Sequence, residues 1–304
     1  MQLLEHLEKF QSSFYPLVLT IGNFDGMHRG HRAVLQKVHQ LVGTEGQAIV
    51  MTFSNHPSTV LRADQPTLLI CHLAHKLRLI ESYPVDTLIL LPFTRYLAQH
   101  SAASFVERVR QFIPFSHLVL GHDATLGRDR QGSRFIMQGL GEEWGFHVHY
   151  LEEYRFEGHP VSSTRIREAI QQADFELVSD LLGRPHSISG LVIAGKGKGK
   201  EIGYPTANLD VTGLCLPPLG VYAIDVIIKE KTYLGIANLG VAPTVKENAL
   251  PVLEVHLFDW SDSLYDESIE VIFKQMIRPE RHFDSIEQLR EQIEQDIQKA
   301  KHIL

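Results

Sequence analysis

Short apolar runs alternate with helical patterns over the first 183 residues of the chain. Strands that alternate with helices predict a parallel sheet covered by helices on both faces. In such sheets, ligands bind beyond the carboxyl ends of the strands. The predicted strands are 17–22, 48–53, 87–91, 117–121 and 146–151, and the predicted helices are 31–42, 74–82 and 102–112.

The pattern changes at residues 183–185, which read Gly-Arg-Pro. Beyond them the apolar runs are strand-like and separated by turns, so we expect an antiparallel sheet closed into a barrel. A helical stripe over 285–302 ends the chain, and Ser285 can cap it with Gln288 three residues on. We therefore predict two domains, 1–184 and 185–304. The predicted strands of the second domain are 190–194, 221–228, 233–237, 253–258 and 269–273.

The composition is that of a globular chain, since 304 residues with 44% hydrophobic content are enough for two domain cores. The formal net charge of -7 gives no general attraction to nucleic-acid phosphates. Cys71 and Cys215 form no C-x-x-C pair, which argues against a disulfide scaffold and against a thiolate zinc site. Residues 1–10 lack the apolar segment of a signal peptide, and the longest apolar runs are too short to span a membrane. We expect a cytoplasmic protein that binds neither nucleic acid nor membrane.

The first predicted strand runs into a glycine-bearing turn that contains the pattern H-x-G-H, formed by His28, Gly30 and His31. A strand, a turn and a helix start present free backbone N–H groups to an anion, and Gly22 and Gly26 allow close approach. Two imidazoles at this position can donate hydrogen bonds to phosphate oxygens and stabilise charge in nucleotidyl transfer. The alternative is a turn with two solvated histidines, because the chain has 17 of them. We favour the functional interpretation.

A second segment, 161–167, reads V-S-S-T-R-I-R and precedes a helical pattern. Hydroxyl side chains at a helix start are ordinary caps, and Arg167 could be a surface charge, so the segment alone says little. Taken together with H-x-G-H, it suggests a second clamp for a triphosphate, which needs several donors at once.

The two segments resemble the HIGH-type nucleotidyltransferases, and residues from about 17 to 300 resemble the bifunctional bacterial riboflavin kinase/FMN adenylyltransferases. The resemblance rests on G-N-F-D-G at 22–26, T-F at 52–53, H-P at 56–57, P-F at 92–93 and the segment 162–167. It implies a Rossmann-like domain that transfers AMP from ATP to FMN, giving FAD and pyrophosphate. It also implies that His28 and His31 are catalytic and that ATP is bound by Gly22, Asn23, Phe24, His28, His31, Ser163 and Arg167. One departure is that Ala124 and Leu126 stand where the family usually has aromatic residues.

The predicted barrel begins near alternating glycines and lysines at 195–200. Residues 190–197 fit the start of a phosphate-loop pattern, but Gly197 stands where Ser or Thr should bind magnesium, and the intervening residues are apolar. We therefore reject a phosphate loop, and the dinucleotide-binding pattern G-x-G-x-x-G does not fit either. The run is either a flexible flap over a nucleotide, with lysines that neutralise phosphate charge, or a plain hairpin tip.

Residues 205–208 read P-T-A-N and favour the flap. A hydroxyl and an amide oxygen close together, from Thr206 and Asn208, can ligate Mg²⁺ beside nucleotide phosphates because magnesium prefers hard oxygen donors. A structural turn would also account for these residue types.

P-T-A-N after a glycine-rich loop resembles the flavokinase signature, as do G-V-Y-A at 220–223, N-L-G at 238–240, P-T at 243–244, E-x-H at 254–256 and L-Y at 264–265. The resemblance implies a six-stranded antiparallel barrel that phosphorylates riboflavin with Mg-ATP. Thr206 and Asn208 would hold Mg²⁺, and Glu254 would be the general base. The implied binding residues for ATP and flavin are Gly195, Lys200, Gly203, Pro205, Thr206 and Asn208. The departures are Ala242 and Asp266, where family members often carry Arg and Gly.

Glu254 has an alternative interpretation, because it alternates with apolar residues over 253–257. Such a strand usually has a solvated polar face. A closed barrel, in which one face points into the interior or a ligand-holding mouth, and the family resemblance favour a catalytic role instead.

Two other functions compete. A different H-x-G-H adenylyltransferase, such as a pantetheine-phosphate enzyme or a fragment of an aminoacyl-tRNA synthetase, would lack the P-T-A-N barrel. A non-catalytic or single-activity flavin- or nucleotide-binding relative would keep the fold without both reactions, and the missing aromatics at 124 and 126 are its best support.

Overall fold

The computed structural model describes residues 1–194, 198–241 and 251–304. Contacts divide them into two compact units, Met1–Thr67 with Lys76–Ser162 and Leu68–His75 with Ser163–Leu304. The expected α/β fold, followed by a closed antiparallel barrel and a C-terminal helix, is confirmed. The assignment of one activity to residues 1–184 and the other to 185–304 stays a prediction.

The first unit is built on a parallel sheet with strand order β1-β4-β3-β2-β5-β6. Its strands are β1 (Gln2–Leu4), β2 (Leu17–Ile21), β3 (Gln47–Phe53), β4 (Thr87–Leu91), β5 (His117–Leu120) and β6 (His147–Tyr150). Its helices, of which α3 begins in the second unit, are α1 (Arg29–Val42), α2 (Ser58–Leu61), α3 (Leu73–Glu81), α4 (Arg95–Ala98), α5 (Ala102–Phe112) and α6 (Arg134–Trp144). A small antiparallel pair, β7 (Arg155–Phe156) and β8 (His159–Pro160), follows the sheet.

Alternate residues of the central strands pack into different cores. Leu19 of β2 lies in the core with α5 and α6, whereas Val18 lies in the core with α1 and α3. This alternation follows from the two-residue period of a strand. Because both faces are covered by helices, every residue of β2 and β3 is buried.

The direction of strand addition reverses at β2. From β2 the chain adds β3 and β4 on one side, and it then returns to place β5 on the other side. Such a switch point leaves a crevice at the carboxyl ends of the two diverging strands, which is where open α/β sheets bind ligands. The loops that follow β2 and β5 therefore border the expected site.

The second unit contains a closed barrel with strand order β10-β13-β12-β11-β14-β9 within the described residues. Its strands are β9 (Ser187–Ile193), β10 (Ala207–Asp210), β11 (Gly220–Ile228), β12 (Lys231–Val241), β13 (Pro251–Leu257) and β14 (Ser268–Pro279). Its helices are α7 (Ser163–Gln171), α8 (Phe175–Leu182), α9 (Lys198–Glu201) and α10 (Ile286–Ile303). All pairs in the barrel are antiparallel.

The barrel interior is an apolar core, and α10 covers part of the outer wall. Tyr222 and Leu253 are among the fully buried interior side chains, while Val221 and Ile236 point outward and pack with residues of α10 such as Ala300. The predicted cap of α10 is confirmed, because the Ser285 side chain accepts a hydrogen bond from the Gln288 backbone N–H at 3.2 Å. Within the described ranges, no helix is both long and apolar enough to cross a lipid bilayer.

Candidate active sites

The loop after β2 turns the chain sharply into α1. Phe24 and Met27 are buried with φ values of 52° and 44°, and Gly26 between them has φ 73°. Left-handed backbone is uncommon for residues with side chains, so this loop is held by its surroundings. A Cβ added at Gly22 would lie 3.0 Å from the Phe24 ring. The glycine at 22 therefore makes room for the ring beneath the loop.

His28 and His31 lie together at the start of α1. Nδ1 of His28 accepts a hydrogen bond from the His31 backbone N–H at 3.3 Å, and the two rings stack with centroids 3.6 Å apart. The Phe24 ring meets His31 edge-on at 5.3 Å. A Cβ at Gly30 would lie 3.2 Å from the His28 ring, which explains the glycine in H-x-G-H. The predicted histidine pair is thus one stacked unit at a helix N-terminus.

The surroundings of the pair set the protonation of each ring. Because Nδ1 of His28 accepts a hydrogen bond, a neutral His28 carries its proton on Nε2. Burial lowers the pKa of His31 well below 6.5, and repulsion from Lys76 and from His28 in its protonated form lowers it further. Nδ1 of His31 is buried and has no hydrogen-bond partner among the described residues. His31 is therefore neutral at neutral pH.

Lys76 in α3 is a buried cation that the sequence reasoning missed. Its Nζ donates to the carbonyls of Asn23 at 3.2 Å and Phe53 at 2.8 Å and lies 3.3 Å from Oγ1 of Thr52. It joins the loop after β2 to the end of β3, so Asn23 is held through its backbone. A lysine on a predicted helix gives no signal of burial, because most such lysines are solvated.

His122, another residue without a predicted role, follows β5 on the other side of the switch point. Its Nε2 lies 3.3 Å from Oε1 of Glu153, and Oε2 of Glu153 pairs with Arg155 at 2.5 Å. The neighbouring Tyr154 has its Cβ 3.7 Å from the place that a Cβ of Gly30 would occupy. These contacts hold the loop after β6 beside the start of α1.

Ser163 and Arg167 lie in α7, which belongs by its contacts to the second unit. Nε of Arg167 donates to the carbonyl of Leu68 at 2.6 Å. Arg167 thus helps to hold the segment Leu68–His75 against α7. The predicted role of Ser163 and Arg167 as a phosphate clamp stays a prediction.

A cavity of about 640 Å³ lies between the outer wall of the barrel and α10. Its size is within the range of small-molecule sites. Thr206, Asn208 and Glu254 all line it. Residues that are far apart in the sequence and were predicted to serve one reaction are therefore brought to one cavity.

Glu254 faces this cavity because β13 alternates between the two sides of the wall. Leu253 and Val255 pack in the barrel core, whereas Glu254 lines the cavity outside. In register, Glu254 lies opposite Asn208 of β10 on one side and Asn238 of β12 on the other. Of the two places expected for Glu254, the barrel interior or a ligand-holding mouth, the interior is excluded because apolar side chains fill it. Asn238 is a polar neighbour to which the sequence reasoning gave no role of its own.

The chain before β10 forms a tight turn. The Tyr204 backbone N–H donates to the carbonyl of Gly199 at 2.8 Å. Gly203 has φ 88°, a conformation that suits glycine. A Cβ at Gly199 would clash with the Tyr204 carbonyl and lie 3.1 Å from Oγ1 of Thr206. Glycines in this stretch therefore serve a close turn beside Thr206.

The remaining predicted residues of this segment differ in their surroundings. Lys200 is exposed in α9, and the carbonyl of Pro205 lies 2.8 Å from Nδ1 of His256. Gly195 lies outside the described residues, as do Ala242 and the P-T pair at 243–244.

A polar network that the sequence reasoning missed borders the cavity on the side of α10. Arg278, near the end of β14, pairs with the buried Asp296 at 2.9 Å. Nε2 of Gln292 donates to Oδ1 of Asp296 at 2.7 Å, and Arg281 donates to Oε1 of Gln292. A buried carboxylate with these partners fixes α10 against the barrel wall. The i, i+4 spacing of Gln292 and Asp296 was the available signal.

Two departures from the family pattern have simple structural settings. Ala124 and Leu126 are partly buried against the core of the first unit. Asp266 has φ 64°, a left-handed conformation that Asp tolerates better than most residues. Asp266 therefore keeps the backbone form that glycine would adopt freely.

Two family models match the chain, one in each half. A family model described as riboflavin kinase matches residues 182–304, and one described as FAD synthetase matches residues 10–165. A bifunctional riboflavin kinase/FMN adenylyltransferase of Pseudomonas fluorescens is 36% identical over 99% of this chain and 97% of its own length. Proteins of the same name from Escherichia coli K12 and Bacillus subtilis 168 are each 36% identical, over 92% and 93% of this chain and 90% and 91% of their own lengths.

A crystal structure described as a macrolide-efflux protein from Streptococcus pneumoniae has a similar fold. Its TM-score is 0.83 at 28% identity, with 98% of each chain covered. The two family models, together with relatives similar along nearly their whole length, decide the family. The chain belongs to the family of bifunctional riboflavin kinase/FMN adenylyltransferases.

Proposed function

We propose that the chain phosphorylates riboflavin to FMN with one ATP in the barrel, and adenylylates FMN to FAD with a second ATP in the parallel-sheet unit. Family membership supports both reactions. The observation that carries the kinase assignment is the meeting of Thr206, Asn208 and Glu254 in one cavity. The stacked histidine pair at the start of α1, beside the switch point of the sheet, supports the adenylyltransferase assignment.

In the kinase reaction, the terminal ribityl hydroxyl of riboflavin attacks the γ-phosphorus of ATP. The bond from that phosphorus to the bridging oxygen breaks, and ADP leaves. The carboxylate of Glu254, on the outer face of β13, accepts the hydroxyl proton as the new bond forms. The apolar residues at 253 and 255 pack in the barrel core and hold the strand that carries Glu254.

Magnesium suits the oxygen donors of this cavity. Thr206 offers a hydroxyl, and Asn208 offers an amide oxygen opposite Glu254 in register. Mg²⁺ prefers hard oxygen ligands and binds through few protein groups together with nucleotide phosphates. We therefore propose that Thr206 and Asn208 hold Mg²⁺, which neutralises phosphate charge when bound.

In the adenylyltransferase reaction, a phosphate oxygen of FMN attacks the α-phosphorus of ATP, and pyrophosphate leaves. Nε2–H of His28 donates to a phosphate oxygen, because Nδ1 is already occupied by the backbone of His31. The positive end of the α1 helix dipole adds to the attraction for phosphate at this site. Gly22 and Asn23 belong to the loop that borders the crevice, while Ser163 and Arg167 are proposed to hold further phosphate oxygens.

The decisive test is incubation of the purified protein with riboflavin, ATP and Mg²⁺, followed by chromatography. We expect FMN to appear first and FAD to follow. A parallel incubation supplies FMN in place of riboflavin. FAD in that incubation, with no FMN formed from riboflavin in the first, would favour another H-x-G-H adenylyltransferase or a single-activity relative. The absence of both products would favour a binding protein.

We also propose that the chain works in the cytoplasm, where thiols such as the buried Cys71 and Cys215 stay reduced.

A further inference from the structure

His256 joins the strand of the general base to the turn that precedes Thr206. It lies two residues after Glu254 on the same face of β13 and lines the same cavity. Its Nδ1 is 2.8 Å from the carbonyl oxygen of Pro205. Because a carbonyl only accepts hydrogen bonds, Nδ1 carries the proton and donates a hydrogen bond to the Pro205 carbonyl oxygen.

The same turn is held from the side of α10. The hydroxyl of Tyr204 donates to Oε1 of Glu294 at 3.2 Å, and Nε of Arg290 donates to the carbonyl of Ile202 at 3.1 Å. The ring of Tyr204 stands edge-on to the imidazole of His256, with centroids 5.6 Å apart. The turn is therefore fixed between β13 and α10.

The two proposed magnesium ligands are positioned in different ways. Asn208 lies inside β10, where pairing with β13 and β9 fixes its backbone. Thr206 precedes β10 and lies outside the register of these pairs. The hydrogen bond from His256 to Pro205, the residue before Thr206, ties this part of the chain to β13.

We propose that His256 is a positioning residue of the kinase reaction. By holding the carbonyl of Pro205, it sets the place of the Thr206 hydroxyl relative to Asn208 and Glu254. Its loss weakens the binding of Mg²⁺ and ATP, whereas its effect on riboflavin binding is small. This inference rests on the proposed kinase function.

The test compares two substitutions of similar size and polarity. In His256→Asn, the amide nitrogen takes the place of Nδ1, because both atoms are attached to Cγ. In His256→Gln, the amide is moved outward by one carbon. We expect His256→Asn to keep half-saturating concentrations of Mg²⁺ and ATP within a few-fold of wild type, and His256→Gln to raise them by about 10–100-fold, the usual effect of removing a group that orients metal ligands.

Three further measurements separate positioning from general damage. The KM for riboflavin and the rate of FAD formation from supplied FMN should stay near wild type in both variants. The thermal unfolding temperature is recorded for each, and it should be similar for the two. The proposal is overturned if the Asn and Gln variants have the same half-saturating concentrations of Mg²⁺ and ATP, whether near wild type or raised. It is also overturned if kcat falls while the Mg²⁺ dependence is unchanged. The wild-type protein is assayed first, because failure to form FMN would contradict the proposed function itself.

Discussion

At the scale of single residues, Glu254 carries the sharpest expectation. Glu254→Gln should fold normally and bind Mg-ATP, because the side chain is exposed on the cavity wall and does not belong to the core. Riboflavin phosphorylation should fall by about 10²–10⁴, the usual contribution of a general base. Steady-state kinetics with riboflavin measure this fall.

FAD formation from supplied FMN should be unchanged in Glu254→Gln. Glu291→Gln, which alters an exposed carboxylate on α10 that does not line the cavity, is the matched control. Near-normal kinase turnover in Glu254→Gln would show that Glu254 is only part of a polar face.

Substitution of His28 should affect only the formation of FAD from FMN. His28→Ala removes both the stacked partner of His31 and the Nε2–H donor, so FAD formation should fall by about 10²–10³, as for loss of one charge-stabilising donor. FMN formation from riboflavin should be spared. His39→Ala, at an exposed position near the end of the same helix, is the control. Normal FAD synthesis by His28→Ala would refute the assignment.

His186 should make the stability of the protein sensitive to acid. It is 1% exposed, and its ring stacks with those of Phe175 and Phe273 at 6.1 and 5.6 Å. Burial lowers its pKa from 6.5 to about 3, with smaller effects from the positive charges of Arg184 and His75. At pH values between about 3 and 6.5, His186 is protonated in the unfolded chain and neutral in the folded chain.

Stability from a neutral His186 is therefore complete above about pH 6.5 and is lost as the pH falls toward 3. His186→Gln, which cannot titrate, should remove this part of the dependence. Denaturant unfolding from pH 8 to pH 5 gives the free energy of unfolding of both proteins. The difference between the two free energies should change by on the order of 1 kcal/mol per pH unit below 6.5. Parallel curves for the two proteins would contradict the assignment.

At the scale of elements, α7 and α8 pack with the barrel rather than with the parallel sheet. Phe175, the first residue of α8, is part of the barrel core and contacts the rings of Tyr222 and Phe273. We predict that residues 163–304 fold and convert riboflavin to FMN. Residues 185–304 should be less stable by about 3–5 kcal/mol, because they lose a buried aromatic side chain.

Denaturant unfolding and FMN formation by the two fragments test this prediction. Phe175→Ala in the full chain is the matched variant, and it should lower stability by a similar amount without altering either active site. Equal stability of the two fragments would mean that α7 and α8 are not part of the barrel core. A folded but inactive fragment 163–304 would count against the kinase assignment.

At the scale of the whole molecule, the sequence predicted the fold class and the principal strands well. Strands such as 87–91 and helices such as 102–112 have the bounds predicted for them, because their apolar periodicity is long and uninterrupted. Several elements were missed, among them the eleven-residue helix α6 and the short strand β10. β10 follows Pro205 and reads as a turn, and only its pairing with β13 and β9 makes it a strand.

The residues of the candidate sites also fall into two groups, those that the sequence predicted and those that it did not. Motif residues such as His28 and Thr206 could be named, since glycine patterns and family resemblance mark them. Lys76 and Asp296 could not, because their importance comes from burial and from partners distant in sequence. Local periodicity contains no information about such partners, so a buried ion resembles a solvated one until the fold is known.

The alternation along β13 has a consequence for how this wall can be changed. Even-numbered positions 252, 254 and 256 face the cavity, and odd-numbered positions 253, 255 and 257 fill the interior. Substitutions at the even positions can therefore change the chemistry of the cavity while the packing of the barrel interior is kept. Insertion or deletion of a single residue would exchange the two sets. It would bury a carboxylate and an imidazole among apolar side chains, so this wall tolerates changes of residue far better than changes of length.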